Sequence, residues 1–119
     1  MNKRIVITGV GAFSPLGATA GETWESLLRG ESGARDLPES LVSYDIDLPV
    51  TFAATVRESA AEHLDRVAAK RLDPSSQYAL IAGREAFANA GLAAGDIDPE
   101  RLMVDWATGI GGVWTLLDA

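Results

Sequence analysis

The sequence predicts an α/β fold, in which strands and helices alternate along the 119 residues. Two apolar runs, residues 4–8 and 102–108, each lead into a glycine-rich turn, and such runs are typical of strands covered on both faces of a parallel sheet. Residues 19–29 and 75–90 repeat apolar residues at helical spacing. The order strand, glycine loop, helix, strand, helix pair, strand, glycine loop is an α/β pattern.

The first elements follow from simple signals. Residues 4–8 are a β-branched run that predicts a buried strand. Residues 9–17 predict a loop, because three glycines and Ser14-Pro15 exclude a long regular element. Residues 19–29 predict a helix that Gly30 ends. Its expected core face consists of Trp24, Leu27 and Leu28.

The middle of the chain predicts less regular structure. Residues 31–49 are polar and contain two prolines, so we expect a surface loop. Residues 50–56 are rich in β formers and predict a strand at a sheet edge. Residues 58–71 predict a helix whose apolar face consists of Ala61, Leu64 and Ala68.

A third helix is predicted over residues 75–90. Asp73 is a favourable N-cap, and Pro74 suits the first helical position because its missing N–H costs nothing there. Gly91 suits the position that follows the helix. An alanine-rich face would allow close packing on a sheet; it consists of Tyr78, Ile81, Ala82, Glu85, Ala86 and Asn89.

The last elements are a strand and a turn. Residues 102–108 predict a strand buried on both faces, in which Asp105 needs a hydrogen-bond partner. Residues 109–112 predict a glycine turn, and residues 113–117 begin an apolar element.

Composition excludes several classes of function. The net charge is −7, with 17 acidic and 10 basic residues, which argues against a nucleic-acid binder. The sequence has no cysteine and one histidine, so it contains neither a thiol nucleophile nor a zinc site built from these residues. No apolar run approaches the ~20 residues of a membrane span, and the short run after Lys3-Arg4 predicts a strand in preference to a signal peptide. We expect a cytoplasmic protein without a membrane, metal or cofactor role.

The glycine loop invites comparison with a dinucleotide-binding fingerprint. That fingerprint requires glycines at the first, third and sixth positions before a helix, but Ser14 occupies the sixth position and Pro15 follows it. A structural turn that lets backbones pack closely is the favoured interpretation.

Charged side chains give few further candidates. We expect solvated positions for Glu22, Glu25, Glu58, Glu62, Arg84 and Glu85, and no catalytic role for His63. Arg66, Lys70 and Arg71 form a basic cluster at the end of a predicted helix. From the residues alone, this cluster either complements the helix dipole or binds an acidic partner.

Several motifs together resemble the start of the β-ketoacyl-acyl carrier protein synthases, the condensing enzymes of the thiolase fold. The motifs occur in the family's order: residues 3–11 with Ser14-Pro15-Leu16-Gly17, residues 23–30 with Ser32-Gly33, residues 70–73 with Gln77-Tyr78-Ala79, residues 86–92, and Thr108-Gly109-Ile110-Gly111-Gly112. Residues 104–107 depart from the small, glycine-containing run usual before the last motif.

The resemblance implies a layered αβαβα architecture, of which residues 1–119 would be a partial N-terminal domain that stops before the nucleophile. It implies decarboxylative condensation of acyl and malonyl thioesters by a homodimer that binds acyl carrier protein, without a cofactor. The family's cysteine and paired histidines match nothing here, so we expect no catalytic residue and no condensing activity from this chain alone.

The resemblance carries two kinds of site residue over. Ile110 matches the position that gates acyl-chain entry, and Lys70 and Arg71 match positions that contact the acidic carrier protein. Arg66 lies nearby and aligns less cleanly. Fatty-acid elongation is the leading function; the alternatives are an aromatic polyketide ketosynthase, a non-catalytic chain-length factor and, outside the family, a nucleotide-binding α/β protein.

Overall fold

The computed structural model describes residues 3–37, 49–93 and 95–117. Its elements are α1 (Ala20–Leu28), β1 (Arg35–Asp36), β2 (Phe52–Ala53), a 3₁₀ turn (Ala60–Glu62), α2 (Arg66–Arg71), α3 (Pro74–Asn89), a second 3₁₀ turn (Pro99–Arg101) and α4 (Val113–Leu117). Helices are the main regular elements of the described residues, and the strands found there form one two-stranded sheet.

Helix α3 is the centre of the structure. It begins at Pro74 after the N-cap Asp73 and ends at Asn89, with Gly91 in the left-handed region at φ +68°, so its predicted caps are confirmed and each end lies one residue from its predicted position. Ile81 and Ala82 are buried on the alanine-rich face that the sequence predicts.

Helix α1 is confirmed, but its predicted core face is wrong. Trp24 is 59% exposed, and Leu27 and Leu28 are also exposed. Ser26 is instead 2% exposed, and its hydroxyl donates to the Leu16 carbonyl at 2.9 Å. The residues before α1 fold back onto its polar side, where Ser14 and Thr23 hydroxyls lie 2.8 Å apart, and the apolar side is left outward.

The predicted edge strand over residues 50–56 shortens to β2. It pairs antiparallel with β1, with Arg35 opposite Ala53. Strand β1 lies in the stretch 31–49 predicted to be loop, and residues 38–48 of that stretch fall outside the described residues.

The single helix predicted over residues 58–71 is wrong, because the chain breaks it in two. A 3₁₀ turn ends at Glu62, and α2 starts again at Arg66. Asp65 causes the restart: its carboxylate accepts from the amides of Val67 and Ala68, both at 3.0 Å. These two bonds, with that to Ala68 foremost, lower the pKa of the Asp65 carboxyl.

Neither apolar run predicted to be a buried strand is a strand here. Residues 4–8 and 102–108 are irregular, with Ile5 98% exposed and Met103 84% exposed. Asp105 likewise lies in an exposed segment. A buried strand needs neighbouring strands that bond its backbone and other elements that cover its faces, and among the described residues no strand pairs with either run.

The buried core is correspondingly small. The buried apolar side chains of the described residues are Ala18, Ala60, Ile81 and Ala82. The radius of gyration is 17.3 Å, whereas a compact domain of this length has about 13.5 Å. The described residues therefore carry apolar surface that a closed domain would bury.

We predict that this surface makes the 119-residue chain bind hydrophobic dyes and self-associate. Replacing Ile5→Lys and Met103→Lys should reduce dye binding and association without loss of helical circular dichroism, because both side chains are exposed. A monodisperse monomer that binds no dye and melts sharply would contradict this expectation.

Candidate functional site

The glycine loop packs backbone to backbone on α3. A methyl group placed on Gly9 would overlap the Ala86 carbonyl oxygen, and one on Gly11 would overlap that of Ala82. The Val10 amide donates to Asn89 Oδ1 at 3.1 Å. The loop is therefore a structural turn that needs glycine for close approach, as the favoured interpretation predicts.

Glu85 ties the loop and α1 to α3, so the prediction of a solvated Glu85 is wrong. Its Oε2 accepts from the Ala12 amide at 2.8 Å, and its Oε1 accepts from the Ala20 amide at 2.9 Å. Ala20 is the first residue of α1, where amides lack helical partners. Because the Glu85 carboxylate already accepts hydrogen bonds from these two amides, neither amide is free to bind a phosphate group. The sequence did hold a signal: Glu85 falls on the alanine-rich face of α3.

Two other acidic positions predicted to be solvated also make contacts. Glu22 accepts from the Ala18 amide at 2.8 Å. Glu58 Oε2 lies 2.7 Å from His63 Nε2, and the His63 ring meets Phe13 edge-on with centroids 5.3 Å apart. These contacts give His63 a structural role.

A charged cavity of about 350 Å³ lies beside α1. Glu31, next to it, forms ion pairs with Arg29 at 2.7 Å and Arg57 at 3.2 Å. These bonds, with that from Arg29 foremost, lower the pKa of Glu31. The cavity's two arginines are therefore already paired. The other residues that line it are Leu16, Gly17, Glu22, Glu25, Ser26 and Glu58.

The basic cluster stands on α2. Arg66 begins the helix, and Lys70 and Arg71 lie in its last turn. All three are exposed, and none forms an ion pair with a carboxylate of the described residues. The cluster is thus placed both to complement the helix dipole and to meet an acidic surface.

A short junction joins the basic cluster to α3. The Leu72 amide still bonds the Ala68 carbonyl at 3.0 Å, and the Gln77 side-chain amide donates to the carbonyls of Ala69 at 3.0 Å and Leu72 at 2.8 Å. The end of α2 is therefore bound to the first turn of α3.

Asp73 caps α3 within this junction. Its Oδ1 accepts from the Ser75 amide at 3.0 Å, the Ser75 hydroxyl at 2.6 Å and the Ser76 amide at 3.2 Å, and its Oδ2 accepts from the Ser76 hydroxyl at 2.7 Å. These bonds, led by that from the Ser75 hydroxyl, lower the pKa of Asp73 from 3.8 to about 2.

The turn that contains Ile110 rests on the same aspartate. Gly111 adopts φ +79°, and its amide donates to Thr108 Oγ1 at 3.2 Å. A methyl group on Gly112 would lie 3.0 Å from Asp73 Cβ and 3.1 Å from Asp73 Cγ. Ile110 itself is 83% exposed, so it plugs no core gap among the described residues.

An apolar groove of about 620 Å³ separates α3 from the segment before this turn. Alternate residues of that segment, Val104, Trp106 and Thr108, face the groove, and Ile110 does not line it. The α3 side and its approach contribute Leu72, Ser75, Ser76, Ala79, Leu80 and Gly83.

The described residues contain no group of histidine and acidic side chains that could hold a metal ion. None of their helices is long and apolar enough to cross a membrane.

The sequence matches the family described as "Beta-ketoacyl synthase, N-terminal domain" over residues 2–118. The chain therefore belongs to the β-ketoacyl synthase family, and membership implies a thiolase-like fold. The resemblance seen in the motifs is confirmed.

Named relatives narrow the comparison. The chain is 37% identical over 116 residues to a Staphylococcus aureus protein named 3-oxoacyl-[acyl-carrier-protein] synthase 2, a match that covers 96% of the chain. It is 33% identical over 117 residues to a Synechocystis protein of the same name, with 98% of the chain covered. In both comparisons the chain spans 27% of the relative's length.

The Asp73 cap should respond to acid in a defined range. A carboxyl whose folded pKa is lowered stabilises the fold fully above its ordinary value of 3.8, and this contribution is lost as the pH falls through about 2. We predict that the Asp73 carboxyl carbon titrates near pH 2 in NMR spectra, together with the amides of Ser75 and Ser76.

The control is Asp73→Asn, which keeps a good N-cap residue and should remove this transition from the two serine amides. A midpoint near 3.8 in the unaltered chain would contradict the hydrogen bonding of the cap.

Proposed function

We propose that this chain is the N-terminal part of a 3-oxoacyl-acyl carrier protein synthase that elongates fatty acids. One observation carries the proposal: the family match spans residues 2–118, and relatives of this name align with nearly the whole chain. The relatives' names favour fatty-acid elongation over a polyketide ketosynthase or a chain-length factor. The occupied amides of the glycine loop disfavour a nucleotide-binding protein.

In the proposed reaction a cysteine thiolate outside this chain takes an acyl group from its carrier. Malonyl-carrier protein then loses carbon dioxide, and the carbanion attacks the acyl thioester. The new carbon–carbon bond gives a β-ketoacyl-carrier product and returns the thiolate. This is nucleophilic catalysis with electrostatic stabilisation of the thioester oxygen. This chain has no cysteine, so its proposed role in the reaction is to bind and select substrates.

We propose that Lys70 and Arg71, with Arg66 beside them, bind the acidic carrier protein. The chain as a whole carries −7 and would repel such a partner, so a local basic surface is needed for docking. The exposed side chains on α2 supply one.

We propose that Ile110 gates the acyl pocket. Its side chain is exposed, so it is free to move without disturbing a core. Gly109 beside it has open space around its Cα, and Gly111 takes a conformation that favours glycine. A branched apolar side chain suits a pocket for hydrocarbon.

The finer features of the intact protein belong to the same proposal. They are a layered αβαβα architecture in which residues 4–8 and 102–108 become sheet strands, a homodimer, and a cytoplasmic location. The exposed apolar side chains of both runs support the first of these, since sheet neighbours would cover them.

Charge reversal tests the docking surface. In the intact synthase, Lys70→Glu with Arg71→Glu should slow association with acyl carrier protein by at least about tenfold at low salt, and should weaken its salt dependence. Stopped-flow measurement of association at several salt concentrations gives both quantities.

A matched control is Lys3→Glu with Arg101→Glu, two exposed basic residues outside the proposed strands whose reversal changes the net charge equally. If both double variants slow association alike, the basic cluster is not a specific docking site.

A larger side chain at position 110 tests the proposed gate. In the intact synthase, Ile110→Phe should lower kcat/KM for medium and long acyl primers by roughly 10–200-fold relative to short ones, because the ring fills pocket volume. Steady-state kinetics with primers of graded length measure this ratio, and Ile110→Leu is the volume-matched control. Equal loss for all primers, together with a lower melting temperature, would contradict a gate.

A further inference from the structure

The basic cluster on α2 and the turn that contains Ile110 both adjoin Asp73. Lys70 and Arg71 end α2, Asp73 follows them by two residues, and Asp73 touches Gly112 at the end of the turn that carries Ile110. The sequence alone places these parts about 40 residues apart, since Asp73 and Gly112 are joined only by folding.

Hydrogen bonds fix the Asp73 side chain, so it offers Gly112 a rigid packing surface. Its two carboxylate oxygens are fixed by amides and hydroxyls of Ser75 and Ser76, so its orientation cannot change without breaking the cap of α3. The Gln77 side chain binds the carbonyls of Ala69 and Leu72, which fixes the end of α2 to the same turn.

Gly112 packs closely against the Asp73 side chain. The Cα of Gly112 approaches Asp73 so nearly that a methyl group would lie 3.0 Å from its Cβ, tighter than ordinary van der Waals contact. The Gly112 carbonyl also accepts from the Leu116 amide at 3.1 Å, so the contact locates the start of α4 as well. A shift of the α2–α3 junction would therefore move the turn that contains Ile110.

We propose that Asp73 is a positioning residue that couples carrier-protein docking on α2 to the placement of the Ile110 gate. This inference rests on the proposed function and adds a regulation to it: a docked carrier fixes the end of α2, and Asp73 passes that constraint to Gly112. A primer delivered by carrier protein then meets a correctly placed gate, whereas a primer on a small thiol does not.

The test compares two forms of one acyl primer in the intact synthase: bound to carrier protein, and bound to N-acetylcysteamine, which cannot touch α2. The carrier advantage is the ratio of their kcat values. Gly112→Ala and Asp73→Gly each disrupt the contact, and glycine at position 73 is still an accepted N-cap residue. Each should reduce the carrier advantage on the order of tenfold to a hundredfold, because small misplacements are costly. KM for the carrier-bound primer should change little, since docking residues are untouched.

Two further variants make the result specific. The pair Asp73→Gly with Gly112→Ala returns a methyl group to the space that Asp73 vacates, and should recover much of the carrier advantage. Gly83→Ala is the matched control, because a methyl group there meets no atom within 4 Å.

Each other outcome overturns the proposal. An undiminished carrier advantage in both single variants excludes coupling through Asp73, and leaves the proposed function intact if Ile110→Phe still alters chain-length selectivity. An equal fall in kcat for both primer forms, with a lower melting temperature, makes Asp73 only a helix cap. An unaltered synthase without condensing activity overturns the inference and the proposed function together.

Discussion

The described structure depends on the close contact between the glycine loop and α3. Gly9 and Gly11 bring the loop backbone against helix carbonyls, and Glu85 satisfies loop and helix amides from the same face. An unpaired buried amide costs roughly 1–3 kcal/mol, so the carboxylate is needed wherever backbones approach this closely. The positions of α1 and of the loop relative to α3 follow from this contact.

Local signals predicted the helices well because their causes are local. The caps of α3 consist of neighbouring residues, and Asp73, Pro74 and Gly91 act as their chemistry predicts. The break before α2 was missed although its cause is equally local: Asp65 is a cap residue inside an apparently continuous helical pattern. The apolar spacing indicates one continuous helix, but the bonds of the Asp65 carboxylate to the Val67 and Ala68 amides start a new one.

Non-local features were harder to predict. The Trp24 side of α1 was expected to be buried, yet a periodic face reveals only that something should cover it, not whether the covering residues lie nearby in the chain. The same holds for residues 4–8 and 102–108, whose strand character needs neighbours. For the candidate site, the resemblance supplied Ile110, Lys70 and Arg71, while the Asp73–Gly112 contact between them required the structure.

In the proposed enzyme, this domain binds the carrier protein and selects the primer, and a downstream cysteine carries out the reaction. The most direct measurement is mass spectrometry of the intact synthase after incubation with acyl-carrier protein, followed by malonyl-carrier protein. We predict one acyl group on a cysteine beyond residue 119, then its release as β-ketoacyl-carrier product with an equal amount of carbon dioxide. The absence of both cysteine acylation and β-ketoacyl product, as a non-catalytic partner subunit would give, would contradict this division of roles.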